Sequence, residues 1–185
     1  MANNKKIVSL PRAVALDLLN SIFVKKRTLD QAIFTCKTFG TLTPSDKGFA
    51  RLLTVTVIRR AGQIDNVIQC FLRTGMPSGA LDFKNILRLA CAEILFLGGK
   101  SHAAVDSAVT LVEAKKLPHY KGLANAVLRR LASEGKTKLK RFPVRLNYPS
   151  WLIDSWTNHY GLDKAEKIFE ACVQEPMLDI SVKSN

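Results

Sequence analysis

Residues 81–97 read LDFKNILRLACAEILFL. The apolar positions Ile86, Leu87, Leu89, Ala90, Cys91, Ile94 and Leu95 surround most of the circumference of a helix drawn through this stretch. A helix in a surface layer carries one apolar stripe, whereas one that is apolar nearly all round belongs at the centre of a bundle. Gly98-Gly99 stops the helix, and the turn-like GMPSG at 75–79 precedes it.

Working outward, helical spacing recurs on both sides. Toward the amino end, Pro11 opens a helix that stacks Val14, Leu18 and Ile22 beside Ala15, Leu19 and Phe23. Thr28 and Gln31 form a capping box for a second helix, expected to bury Leu29, Ile33 and Cys36 and to end before Gly40. Thr43-Pro44-Ser45-Asp46 starts a third, running to Arg59-Arg60, and Gly62 is expected to break it from a shorter one carrying Ile64, Val67, Ile68 and Phe71. Toward the carboxyl end, Ser101 is expected to cap a helix to Lys116, and Pro118 opens the next, with Leu123, Val127 and Leu131 on its inner face. Residues 134–148 lack helical periodicity and read as a basic linker. Two helices follow: one from Pro149 closed by Gly161, and one with a capping-box-like start at Asp163 and Glu166. The final MLDISVKSN reads as the beginning of a strand. The expected fold is all-α, a helical bundle over residues 1–133, then a linker at 134–148 and a helical hairpin within 149–185.

Composition bounds the function. At 47% hydrophobic and 23% charged, the 185-residue chain has the make-up of a folded protein rather than a disordered one. The formal net charge is +13 and unevenly placed: +5 in residues 1–27, +2 in 28–114, +9 in 115–145 and −3 in 146–185. Cations at that density repel one another, which points to a polyanionic partner. A solvated face kept for solubility and an anionic membrane surface are the other uses such a stretch allows. Cys36, Cys70, Cys91 and Cys172 form no C-x-x-C pair and lie in apolar helical patterns, so burial as free thiols in a reducing compartment is expected. No apolar run has signal-peptide or membrane-spanning length, and the chain reads as soluble and cytoplasmic.

The sequence offers little chemistry. No glycine-rich phosphate loop and no metal-ligand spacing occur, and His102, His119 and His159 are scattered. Glu93, Asp106 and Glu113 read as partners of nearby cations, and Arg88 as one half of a structural ion pair. No catalytic, cofactor-binding or metal-binding residue is expected. The basic region is more specific. Lys121 and Arg129 share a helix face with Arg130 about 100° around, and Lys136, Lys138, Lys140, Arg141 and Arg145 follow. Phe142, Tyr148 and Trp151 are interleaved with them. Phosphates would meet the cations with release of counterions, and arginines and aromatics could stack on unpaired bases, the usual route to RNA. Core packing of the terminal hairpin is the expectation for Trp151 and Trp156, while Phe142 and Tyr148 fit either use. Asn125 reads as a helix polar group bonded to neighbouring backbone.

Several stretches together resemble one family. SDKGFAR (45–51) with IRR (58–60), ILRLACAEIL (86–95), HAAVDSAV (102–109) and GLANAVLRR (122–130) resemble, in order, the NusB-like helical RNA-binding domain over residues 10–133. Beyond it, YPSWLIDSW (148–156), HYG (159–161) and EPMLDISV (175–182) resemble the connector of bacterial 16S ribosomal RNA cytosine-C5 methyltransferases of the RsmB (Fmu/Sun) type. That resemblance implies an RNA-binding part, with 16S rRNA as partner, serving an S-adenosylmethionine-dependent catalytic domain. The methionine-cofactor loop and catalytic cysteine motifs of that domain match no residue here, so no cofactor is expected in this chain and Cys172 is not its nucleophile. Arg12 occupies the place of the arginine-rich amino end of free-standing NusB proteins and joins the candidate RNA contacts on that ground. The alternative it implies is a transcription antitermination factor or scaffold binding RNA together with a ribosomal protein. The oligomeric state is left open.

Overall fold

In the computed structural model, residues 9–175 and 180–181 are described, and every regular element among them is helical. The order is α1 (Leu10–Phe23), α2 (Leu29–Thr35), α3 (Lys37–Gly40), α4 (Pro44–Arg59) and α5 (Ala61–Gln69). Then come α6 (Leu81–Leu95), α7 (Ser101–Ala114), α8 (Lys121–Leu139), α9 (Ser150–Tyr160) and α10 (Leu162–Cys172). Single 3-10 turns at Pro118–Tyr120 and Val144–Asn147 flank α8.

The helix at the heart of the sequence is the heart of the molecule. Every residue of α6 from Asn85 to Ile94 is buried, and α1, α4, α5, α7 and α8 all pack on it. Phe83, Ile86 and Leu87 are fully enclosed, each worth about 1.5–3 kcal/mol relative to exposure. A smaller cluster of Val14, Leu18, Ala32, Leu42 and Ala50 fixes α2 and α3 against the far side of α1 and α4. The polar groups that α6 carries inward are paired. Arg88 grips Asp65 on α5 through two bonds of 2.7 and 2.6 Å, lies over the Phe23 ring and bonds Asn85, which bonds Asn20 of α1.

Local signals set most helix starts. Thr28 and Gln31 form the expected capping box, and Thr43 accepts the Asp46 N–H with Pro44 in the first turn. Other expectations need correction. The second helix is interrupted at Cys36, whose extended backbone splits it into α2 and α3, and only Ala32 of α2 is buried. Gly62 lies inside α5 and the break falls at Arg60. Ser101 is the first residue of α7, not its cap, and α10 starts from Gly161 (φ 79°) without a side-chain cap. Cys91 is buried and Cys36 half-buried, but Cys70 and Cys172 are exposed, because each ends its helix facing outward.

The largest correction concerns residues 134–148. Helix α8 runs through Leu139, so the first part of the expected linker is regular helix. Gly135 is buried at the point where a Cβ would press on Leu95 and Leu131, and its bareness lets α8 lie close to α6. The remainder is pinned to the bundle. The Gln63 N–H donates to Asn147 (2.9 Å), the Asn147 amide donates back to the Gln63 side chain (3.0 Å), and Gln63 Nε2 donates to the Phe142 carbonyl (2.8 Å). The expected hairpin is present as α9 packed on α10. Its small core is Phe169, stacked on Trp156 and touched by Tyr148, whose hydroxyl donates to the Phe169 carbonyl at 2.9 Å. Tyr148 and Trp156 are therefore packing residues, and Phe142 packs against the main core. Trp151 is 68% exposed and takes no part, contrary to expectation. The strand expected over 177–185 lies mostly outside the described residues; Ile180 and Ser181 are not in a strand.

Candidate nucleic-acid interface

Helix α8 builds the candidate site. Its inner face, Ala124, Val127, Leu128, Leu131 and Gly135, is buried against α6 and α7, which fixes the rotation of everything else. Arg129, Lys136 and Lys140 follow at intervals of seven and four residues, within about 40° of one another on the opposite side. From Arg129 to Lys140 the ridge rises about 16 Å. Asn125 lies on the same outer line, exposed and without the backbone bond expected of it among the described residues. Small residues, Gly122, Ala126, Ala132 and Ser133, separate the cations and leave the ridge open.

The predicted contacts divide into two sets. Arg129, Lys136, Lys138, Lys140 and Arg141 have no ion pair among the described residues, and all but the half-buried Lys138 are exposed. Lys136 and Lys138 sit in the last turn of α8, where the helix dipole favours positive charge. The other four are engaged. Arg12 holds Glu93 in a two-point ion pair and lies over the Phe49 ring. Glu93 is 6% exposed, so the pair is part of the core boundary rather than an outward-facing cation. Lys121 pairs with Glu113, Arg130 approaches Glu134 at 3.7 Å and covers Phe71, and Arg145 meets Glu166 at 2.7 Å. The expected roles of Glu93, Glu113 and Arg88 as ion-pair partners match these contacts.

A second group of cations was not singled out from the sequence. A cleft of about 580 Å³ beside α4 is lined by Arg51, Arg59 and Arg60 with Leu52, Val55 and Phe96. Arg59 and Arg60 donate to the Gln174 and Val173 carbonyls just past the end of α10, and Arg60 lies over Phe96 at 4.5 Å. Burial pulls the Arg60 pKa below the ordinary arginine value. The sequence signal was present: 48, 52, 55, 56 and 59 fall on one face of α4, opposite the buried Ala50, Leu53 and Val57, and no acid lies on it.

Among the described residues no group of three or more His, Cys, Asp and Glu is placed to hold a metal ion, and no helix is long and apolar enough to cross a membrane. They also hold no strand from which a nucleotide-binding loop could spring, so these residues do not fit S-adenosylmethionine.

Fold and ridge define a class: an all-helical domain with an open cationic helix on its surface. The NusB family model matches residues 9–133, and the chain belongs to the NusB family. A solved structure of Thermotoga maritima NusB superposes on 72% of this chain and 99% of its own, with a TM-score of 0.60 and 22% identity, a likeness of fold. The ribosomal RNA small subunit methyltransferase B of Xanthomonas campestris is 30% identical over 170 residues, 90% of this chain and 37% of that protein. The Thermus thermophilus protein of the same name is 36% identical over 120 residues, 63% of this chain and 27% of its own. A probable methyltransferase B from Synechocystis is 25% identical over 179 residues, covering 92% and 40%. The chain thus spans two fifths or less of the length of these curated relatives.

Proposed function

We propose that this chain is the RNA-recognition part of a small-subunit ribosomal RNA cytosine-C5 methyltransferase. In this reading residues 1–133 form the NusB-like unit, 134–148 the junction and 149–185 the connector toward a catalytic domain. That domain would hold S-adenosylmethionine and transfer the methyl group in the cytoplasm. The unpaired cations of α8 dock on rRNA phosphates, and the catalytic residues lie outside this chain. One observation carries the reading: the similarity to the Xanthomonas methyltransferase extends over 170 residues, well past residue 133 where the family match ends, and so takes in the hairpin. The antitermination alternative loses its main residue, because Arg12 is committed to Glu93.

The test is selective binding. Fragments of 16S rRNA and large-subunit rRNA of equal length and matched base composition are titrated against the chain at the same salt concentration. Tighter binding to a subset of 16S fragments is expected. Equal affinity for both sets contradicts the small-subunit assignment, and capture of a ribosomal protein needed for any binding would favour the antitermination reading.

A further inference from the structure

We propose that the arginine-lined cleft beside α4 is a second RNA contact, taking phosphates of a single-stranded segment against Arg51, Arg59 and Arg60. This rests on the RNA-binding reading above. The argument starts from how the chain treats its other partly buried arginines. Arg12 has the Glu93 carboxylate and Arg88 has Asp65, each in a two-point pair. Arg60 is half-buried, yet among the described residues it meets only neutral acceptors, the Gln63 amide at 3.3 Å and the Val173 carbonyl at 3.5 Å. A guanidinium that has lost hydration and faces no anion is costly unless an anion arrives. Among the described residues Arg59 likewise bonds only the Gln174 carbonyl, and the exposed Arg51 has no ion pair. One carboxylate lines the cleft, Glu175, against three guanidiniums.

Size and surroundings suit a nucleotide. The cleft's volume, about 580 Å³, lies within the range of small-molecule sites. Its apolar wall includes Leu52, which is 40% exposed. Planar guanidiniums beside an apolar wall bind phosphate in bidentate fashion and leave room for a base to lie flat. The wall of the cleft is tied to the end of α8 through the core. Arg60 bonds Gln63, and Gln63 bonds the Phe142 carbonyl just past the basic end of α8.

The test compares the wild-type chain with R51Q/R59Q and with a ridge variant carrying glutamine at 136, 138, 140 and 141. Each is titrated over a range of salt with a 16S rRNA fragment and with a short single-stranded oligoribonucleotide. For R51Q/R59Q we expect roughly tenfold weaker binding and a fall of about 2 in the slope of log affinity against log salt. Wild-type affinity and slope would overturn the cleft assignment. Should loss of the Arg59 contact to Gln174 lower the melting temperature, R51Q alone decides: the slope must fall by about 1 with the melt unchanged. Inorganic phosphate that competes no better than its ionic strength allows supports an RNA site. Tight competition by it would instead mark a site for a free phosphate compound and overturn the assignment. Loss in the ridge variant but not in R51Q/R59Q sinks the cleft alone, the reverse sinks the ridge alone, and a wild-type chain that binds neither RNA sinks both.

Discussion

A Cβ placed on Gly62 would overlap the carbonyl oxygen of Leu146 and stand 2.5 Å from its carbon. The obstruction is backbone, which cannot swing aside as a flexible side chain would. Gly62→Ala must therefore push residues 142–148 away from α5 or strain the first turn of that helix. A loss of about 1–3 kcal/mol is expected by urea denaturation, as for other overpacked sites, together with faster amide exchange at Asn147 and Tyr148. A stable Gly62→Ala protein with unchanged exchange would show that the close approach is not maintained. Asp65 gives a second test at this scale. Burial alone would raise its pKa, but the hydrogen bonds and charges of Arg88 and Lys84 outweigh burial and hold it below the ordinary carboxylate value. The folded protein then binds this proton less readily than the unfolded chain. The resulting stability is full above the ordinary carboxylate pKa and is lost as pH falls through the lower folded value. Asp65→Asn should cost roughly 1–3 kcal/mol at neutral pH by leaving Arg88 short of its partner, and should flatten the acid limb of the stability curve. An acid limb as steep as wild type would contradict this role.

At the scale of elements, helix α8 and the segment after it explain why the sequence was only partly legible. Positions and polarity of the main helices could be read, because apolar period and caps such as Thr28 and Thr43 are local properties. The extent of α8 could not. Residues 134–139, EGKTKL, carry one glycine, three charged groups and a single large apolar residue, so the inner face shows no period. It is helical because Gly135 fits against Leu95 of α6, a contact between residues far apart in sequence. The same holds for the ridge. Its residue types were evident, but which cations are free depended on Glu93, Glu113 and Glu166 arriving from other elements. Arg12 is held by Glu93 on that account. The reciprocal bonds of Gln63 and Asn147 now tie α5 to the chain after α8. A double-mutant cycle with Gln63→Ala and Asn147→Ala should give a coupling of roughly 1–2 kcal/mol. Additive effects would mean that the two side chains act separately.

The whole molecule combines a dense core around α6 with a cationic outer surface and a hairpin whose net charge has the opposite sign. Residues 115–145 carry +9 while 146–185 carry −3. The acidic hairpin touches the basic stretch through Arg145 and Glu166, but Arg129, Lys136 and Lys140 stay turned outward. This division suits the proposed role in RNA docking, with one face left for phosphates and the hairpin held apart from it. The most direct measurement is the salt dependence of 16S rRNA binding by the wild-type chain and by the variant with glutamine at 136, 138, 140 and 141. Five free cations on α8 and at its end predict a slope of log affinity against log salt of about −3 to −5 for the wild type, falling in magnitude by roughly 3 in the variant. A wild-type slope near zero, or the same slope in both proteins, would contradict the claim that this ridge docks RNA.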